Sequence, residues 1–346
     1  MNGGFETTDA AATWPQAQAL DVRAPLGAAP TVGSAWSAAG VAMLAGLAAT
    51  CALAPVQLSM TVVVAAAGLH NWCEARYLLS RMPARWGPLR PWFVAALTGT
   101  VGLAAAHVLI GLAPGTGDQA TMRLSWWHTA LVGWVVGLWA CRRPGRVEVP
   151  QWLPAAFACV GLAWLAPRWM SLGLVYVHPL LALVFVDREL AVRRSPWLHA
   201  WRRTLGALPG ALLLVWTLTT LLPTTADAST TVPQAGAFLL PAGLAAPLVA
   251  THVLLESLHY VAWIVLLPLA SGARPWHLRQ VPLALASAGA RRVLVGVLVG
   301  GALAVGLLWI AFAWDYETTR DVYFTVAVLH VIAEAPFLVR LPWAVR

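Results

Sequence analysis

The chain has 346 residues, of which 60% are hydrophobic and only 10% are charged. A soluble domain carries about 25% charged residues, so the composition excludes an ordinary soluble protein and predicts one that is inserted in a lipid bilayer. The net charge of +8 arises from 22 basic residues, all arginine, most of which lie in short loops between apolar runs. We interpret this charge as a signal of membrane topology and expect no nucleic-acid partner.

Residues 1–33 are rich in Ala, Pro, Thr and Gly, and they carry Glu6 and Asp9 where a signal peptide would have a basic start. We predict that 1–33 is a disordered, uncleaved tail and that 34–346 is a single transmembrane domain. Apolar runs of about 20 residues, the length that crosses a hydrocarbon core of ~30 Å, recur to the C-terminus. The predicted segments are 34–53, 56–79, 91–113, 124–141, 152–166, 169–186, 205–222, 242–270, 291–313 and 320–341. The predicted fold class is all-α, a polytopic bundle of about ten transmembrane helices.

The loops between these segments alternate in charge. One set is rich in arginine: Arg81, Arg85 and Arg90; Arg142, Arg143 and Arg146; Arg188, Arg193, Arg194, Arg202 and Arg203; Arg274, Arg279, Arg291 and Arg292. The intervening loops are acidic or neutral. Because cytoplasmic loops are enriched in basic residues, this alternation predicts that both termini are cytoplasmic. The second, sixth, eighth and tenth segments then all run toward the cytoplasm, and we expect a multi-pass protein of the bacterial inner membrane.

Three of the predicted helices contain the motif HxxxE. The pairs are His70 and Glu74, His252 and Glu256, and His330 and Glu334. With nine histidines and seven glutamates in 346 residues, chance placement gives roughly 0.2 such pairs. Residues four apart lie on one face of a helix, so each imidazole and carboxylate can reach the same ion. Ionisable groups inside a membrane cost ~2.5 to 3.5 kcal/mol each, so these pairs indicate a functional site.

Two further histidines join this pattern. Glu256 and His259 form an ExxH pair that resembles the ligand spacing of di-iron carboxylate proteins, and His178 lies on the sixth predicted helix. With a rise of ~1.5 Å per residue, all of these residues fall between the midplane and the inner leaflet, whereas His107 and His128 fall near the outer surface and are expected to be interfacial or bonded to each other. The predicted metal ligands are His70, Glu74, His178, His252, Glu256, His259, His330 and Glu334.

A mixed nitrogen and oxygen donor set suits iron or zinc, and copper or manganese could also bind; the set is large enough for two metal ions. We expect iron, and we hypothesise an iron-dependent oxidoreductase that acts on a lipid or other apolar substrate entering from the bilayer. Glu74, Glu256 and Glu334 are the candidate catalytic carboxylates. Zinc-dependent hydrolysis uses the same residue types. Two further hypotheses are a transporter for divalent metals or protons, which needs a polar path to both surfaces, and a purely structural role in which interhelical hydrogen bonds hold the bundle together.

Overall fold

The computed structural model describes residues 32–83, 86–113, 116–143, 145–222, 244–271, 278 and 281–340. These residues are mainly helical and form no β-strand. The predicted N-terminal tail lies outside the described residues, except that Val32 and Gly33 already belong to the first helix.

The described helices coincide with all of the predicted segments. They are α1 Val32–Leu53, α2 Pro55–Arg81, α3 Arg90–Leu112, α4 Gly117–Ala140, α5 Leu153–Leu165, α6 Pro167–Val192, α7 Leu198–Gly206, α8 Leu208–Leu221, α9 Ala245–Ser271, α10 Pro282–Ala286, α11 Ala288–Trp314 and α12 Tyr316–Arg340. Seven helical stretches are long and apolar enough to cross a membrane: α1, α3 with the preceding turn, α6, α7 joined to α8, α9, α11 and α12. These seven helices are compatible with a multi-pass membrane protein.

The remaining predicted spans fall on α2, α4 and α5, which do not meet that criterion. α2 and α4 have 27 and 24 residues, but α2 contains a polar pair, His70 and Glu74, and α4 begins with a polar turn at Asp118. α5 has only 13 residues, about 20 Å of helix. A count of about ten spans, with both termini in the cytoplasm, stays a prediction.

α9 is the central helix of the bundle. In its apolar window 56% of residues are buried, whereas no other span exceeds 33%, and it packs against α1, α2, α6 and α8. It contains one π-helical turn, Ala262–Leu266, in which the N–H of Leu267 bonds to the carbonyl of Ala262. Pro268 explains this turn, because proline has no N–H and its ring clashes with the carbonyl four residues earlier in a regular α-helix. Such turns are frequent at functional sites.

Four helices, α2, α6, α9 and α12, run in the same direction. On α2 and α9 the ring contact between His70 and His259, at 5.0 Å, is followed further along both helices by that between Tyr77 and Trp263, at 5.6 Å. Contacts of α6 and α12 follow the same order. These four helices carry every residue of the predicted metal site, so their parallel arrangement brings side chains from distant parts of the chain to one level.

The ends of the helices are fixed by local polar contacts. Glu189, near the C-terminal end of α6, is 5% exposed and accepts hydrogen bonds from Tyr77, Arg81 and Arg193. At the opposite end, Asp315 precedes α12 and accepts a hydrogen bond of 3.1 Å from the backbone N–H of Thr318. Hydrogen bonding by the side chain of Thr318, together with this backbone bond, favours the ionised carboxylate and lowers the pKa of Asp315.

Candidate metal centre

Side chains from α2, α9 and α12 meet in the interior of the bundle. His70, Glu74, His259 and His330 present ligand atoms that all lie within 4.8 Å of one another. Two ligands on opposite sides of a zinc-sized ion are separated by about 4.2 Å, twice a typical ligand distance of ~2.1 Å. The spacing therefore fits one metal ion after a small contraction. The side chains are shielded from solvent, because His70, Glu74 and His259 are only 1%, 1% and 2% exposed.

α6 and α12 add one further imidazole and one further carboxylate. Nε2 of His178 lies 3.0 Å from Nε2 of His330, and Nδ1 of His178 lies 3.2 Å from Oε2 of Glu334. The second contact is close but lacks the alignment of a hydrogen bond, since both atoms have no hydrogen-bond partner among the described residues. We call these six residues the His/Glu cluster: His70, Glu74, His178, His259, His330 and Glu334.

Many polar atoms of the His/Glu cluster have no hydrogen-bond partner in the described part of the chain. They include Nε2 of His70, Oε2 of Glu74, both ring nitrogens of His259, Nδ1 of His330 and both oxygens of Glu334. Each buried polar group without a partner costs about 1 to 3 kcal/mol, and more if it is charged. So many unsatisfied donors and acceptors at one point favour a bound cation.

Backbone geometry fixes the tautomer of His70. Its Nδ1 lies 3.1 Å from the carbonyl oxygen of Ala66, and a carbonyl oxygen only accepts. The proton is therefore on Nδ1, and Nε2 presents a lone pair toward the His/Glu cluster. Metal-bound histidines usually donate their second nitrogen in this way.

The two carboxylates of the His/Glu cluster also point to a cation. Glu74 is close enough to Glu334 for the two groups to interact electrostatically, and the residues are 1% and 0% exposed. Two ionised carboxylates repel each other strongly where the effective dielectric constant is low. A metal ion bound between them would replace that repulsion by attraction.

His252 and Glu256 lie beside the four-residue group and are not part of it. Nδ1 of His252 is 3.8 Å from Oε2 of Glu256, while Oε1 of Glu256 accepts a hydrogen bond of 2.7 Å from the hydroxyl of Tyr260. Both precede His259 on α9. That these two residues also bind the metal stays a prediction.

Sequence reasoning missed Tyr323 of α12. Its hydroxyl donates to the carbonyl of Ala67 at 3.1 Å and accepts from Nδ2 of Asn71 at 3.2 Å, so it joins α12 to α2 directly behind His70. The signal in the sequence was its spacing, because Tyr323 precedes His330 by two helical turns and lies on the same face.

A cavity of about 520 Å³ reaches the His/Glu cluster between α4, α6 and α12. Its walls are mostly apolar, but they also include His107 and His128. The sequence predicted that these two histidines lie apart from the site and are interfacial or bonded to each other. His128 is 0% exposed and contacts Ser171 at 3.2 Å, and the cavity extends from the His/Glu cluster toward the start of α6. The two histidines lie apart from the four-residue group, and their interfacial position stays a prediction.

Comparison with protein-family models, with curated proteins and with solved structures finds no match for this chain. The structure provides a helical bundle with a buried group of histidines and a glutamate that can hold a metal ion. This group lies at the wall of a largely apolar cavity.

Proposed function

We propose that this protein is an intramembrane metalloenzyme, and specifically an iron-dependent oxidoreductase that acts on an apolar substrate. The observation that carries the proposal is the convergence of ligand atoms from His70, Glu74, His259 and His330 within 4.8 Å, at a cavity that can admit such a substrate. This donor set combines imidazole and carboxylate without cysteine. Sets of this kind with open positions are typical of non-haem iron oxygenases, although zinc hydrolases use the same donors.

The residues of the site divide into two roles. The four convergent residues bind the metal. His178 and Glu334 are additional ligands, or His178 is a partner of His330 and Glu334 a partner of His178. A bound metal would supply the redox or Lewis-acid chemistry. Glu256 lines the cavity, lies outside the four-residue group and is oriented by Tyr260, so it is the carboxylate best placed to exchange a proton with the substrate.

Access from the lipid supports an apolar substrate. Val177 of α6 lines the cavity and is also 52% exposed, so the cavity wall at this point belongs to the apolar outer surface of the bundle. A substrate dissolved in the bilayer would reach the site without passing through water.

A transporter for divalent metals or protons would use the same ligand atoms, and one observation weighs against it. Arg320 is 3% exposed and interacts electrostatically with Glu256 and with Glu317 at the acidic start of α12. A cation that entered from this end would meet a buried positive charge before it reached the His/Glu cluster. The walls of the cavity on α4 and α6 offer few polar groups for a second route.

Metal analysis of detergent-purified protein tests the proposal. We expect the wild type to contain iron in stoichiometric amount. After dialysis against a chelator, the iron content of E74Q should be at least about tenfold lower, because the substitution removes one ligand and preserves the shape of the side chain. The matched variant is E256Q, which changes a buried glutamate outside the four-residue group. Retained iron would assign Glu256 to proton exchange, and lost iron would add Glu256 to the ligands.

Two results would contradict this proposal. Wild-type protein with only trace metal would exclude a resident metal centre, and equal occupancy in E74Q and the wild type would remove Glu74 from the site. Metal uptake into proteoliposomes that depends on Glu74 would support the transporter.

A further inference from the structure

The cavity contains a second polar group, away from the His/Glu cluster. It consists of His107, His128 and Ser171, which we call the distal polar group, and all three line the cavity. Ser171 precedes His178 by seven residues on α6, about 10 Å along the helix. A ligand in the cavity can therefore contact the distal polar group and the His/Glu cluster at the same time.

Hydrogen bonding defines what the distal polar group offers. The hydroxyl of Ser171 donates to the carbonyl of Pro167 at 3.3 Å and lies 3.2 Å from Nε2 of His128. Because the serine has one proton and a carbonyl only accepts, both contacts are hydrogen bonds only if Ser171 accepts from Nε2–H of His128, and we assign this tautomer. Nδ1 of His128 then presents a lone pair, and it has no hydrogen-bond partner among the described residues. A buried acceptor of this kind matches a ligand that donates a hydrogen bond.

The second histidine of the group lies in an aromatic environment. The ring of His107 is 4.7 Å from that of Trp127, which in turn contacts the ring of His128 at 5.2 Å. Nδ1 of His107 is also without a hydrogen-bond partner in the described part of the chain. The distal polar group therefore has two unsatisfied imidazole nitrogens on an otherwise apolar wall.

The charge of the cavity lining indicates a neutral ligand. Among the described residues that line it there is one carboxylate, Glu256, and no arginine, so a phosphate or carboxylate head group at the distal polar group would find no arginine as a counter-charge. The volume of about 520 Å³ lies within the range of roughly 300 to 1,000 Å³ that is typical of small-molecule sites.

We infer that the cavity binds an elongated apolar alcohol, whose hydroxyl donates to His128 and whose hydrocarbon part extends about 10 Å to the His/Glu cluster. This inference names the substrate class of the proposed enzyme and in that respect rests on the proposed function. Binding itself does not require turnover and is measured independently of the metal.

Equilibrium binding of tritiated dodecanol to immobilised, detergent-purified protein tests the inference. We expect saturable binding at one site. Unlabelled dodecane and dodecanoate should displace the tritiated dodecanol only at concentrations at least about tenfold higher than unlabelled dodecanol requires. H128L should weaken dodecanol binding by about tenfold with unchanged metal content. H128N, which places an amide group near the position of Nδ1, should restore most of it. T129A is the matched control, since Thr129 is the next residue of α4 and does not line the cavity.

Equal dodecanol binding by H128L and the wild type, or stronger competition by dodecanoate, would overturn the inference. If H128L does not fold, S171A provides the same test, because it removes the bond that orients His128 and should weaken binding severalfold. Metal-free wild-type protein that still binds dodecanol through His128 would contradict the proposed enzyme and leave the alcohol site standing. A stoichiometric metal in a protein that binds dodecanol and dodecane equally well would support the proposed enzyme and overturn the alcohol site.

Discussion

Tyr260 has two separable functions in the site. Its ring lies 4.2 Å from that of His70, and its hydroxyl donates a hydrogen bond of 2.7 Å to Glu256. Y260F keeps the ring and removes the bond. We expect this variant to keep its metal but to lose about 1 to 3 kcal/mol of stability, because a buried carboxylate oxygen loses its partner. Scanning fluorimetry, which reports the melting temperature, and metal analysis of the same sample measure the two effects.

Y260L is the complementary variant, because it also removes the ring that supports His70. We expect its metal affinity to fall by about tenfold, the lower end of the effect of changing a group that orients a metal ligand. Loss of metal in Y260F, with Y260L no worse, would show that the hydroxyl and not the ring supports the centre.

Proline determines the local geometry of the helices that carry the site. Pro179 follows His178 inside α6, and Pro336 lies two residues after Glu334 inside α12. A proline in a helix removes one backbone hydrogen bond and bends the helix. We therefore expect the direction of the His178 and Glu334 side chains to depend on these prolines.

P179A tests this dependence. The alanine restores a backbone donor and allows α6 to straighten, so His178 should move relative to His330 and the metal affinity should fall by about tenfold. Competition with a chromogenic chelator measures the affinity. P167A is the matched control, because Pro167 occupies the first turn of the same helix, where its missing N–H is not needed. An unchanged affinity in P179A would show that the bend does not position the site.

Helical periodicity predicted much of the arrangement of the site. The HxxxE spacing identified the helices, and loop charge implied their common direction, so His70, His259 and His330 were brought to one level without any structure. The sequence also grouped His252 with His259, but seven residues correspond to about 10 Å along a helix, more than the ligand sphere of one ion spans. That His252 binds a metal ion, in this site or in a second one, stays a prediction.

Other parts of the site depend on tertiary packing and leave little trace in the sequence. The position of His128 was judged from its depth alone, and depth does not reveal that a cavity connects it with the His/Glu cluster. The hydrogen bond from His70 to Ala66 involves a backbone carbonyl, which no residue type encodes. The π-helical turn of α9 was in principle predictable from Pro268, because a proline within an apolar helix requires some local change of geometry.

At the scale of the whole molecule, the topology depends on whether α5 crosses the bilayer. Trp152 contacts Trp139 of α4 at 5.7 Å, and Trp164 donates a hydrogen bond of 3.1 Å to Thr129 of α4, so α5 runs antiparallel to α4. Its length of about 20 Å is less than a hydrocarbon core of ~30 Å. However, Trp164 and Trp126 are in ring contact at 5.0 Å, and exposed tryptophans of this kind mark a membrane interface. We predict that α5 crosses a locally thinned bilayer.

Accessibility of introduced cysteines decides this question. The background lacks Cys51, Cys73, Cys141 and Cys159, which are free thiols. R168C lies in the first turn of α6, directly after the short connection from α5, and R143C lies between α4 and α5. Both arginines are exposed. We expect a membrane-impermeant maleimide to label R168C in intact cells and R143C only after permeabilisation, because the arginine-rich loops remain in the cytoplasm. If both cysteines require permeabilisation, α5 enters and leaves on the same side. The prediction of about ten spans would then be wrong, whereas the His/Glu cluster, which α5 does not contribute to, would be unaffected.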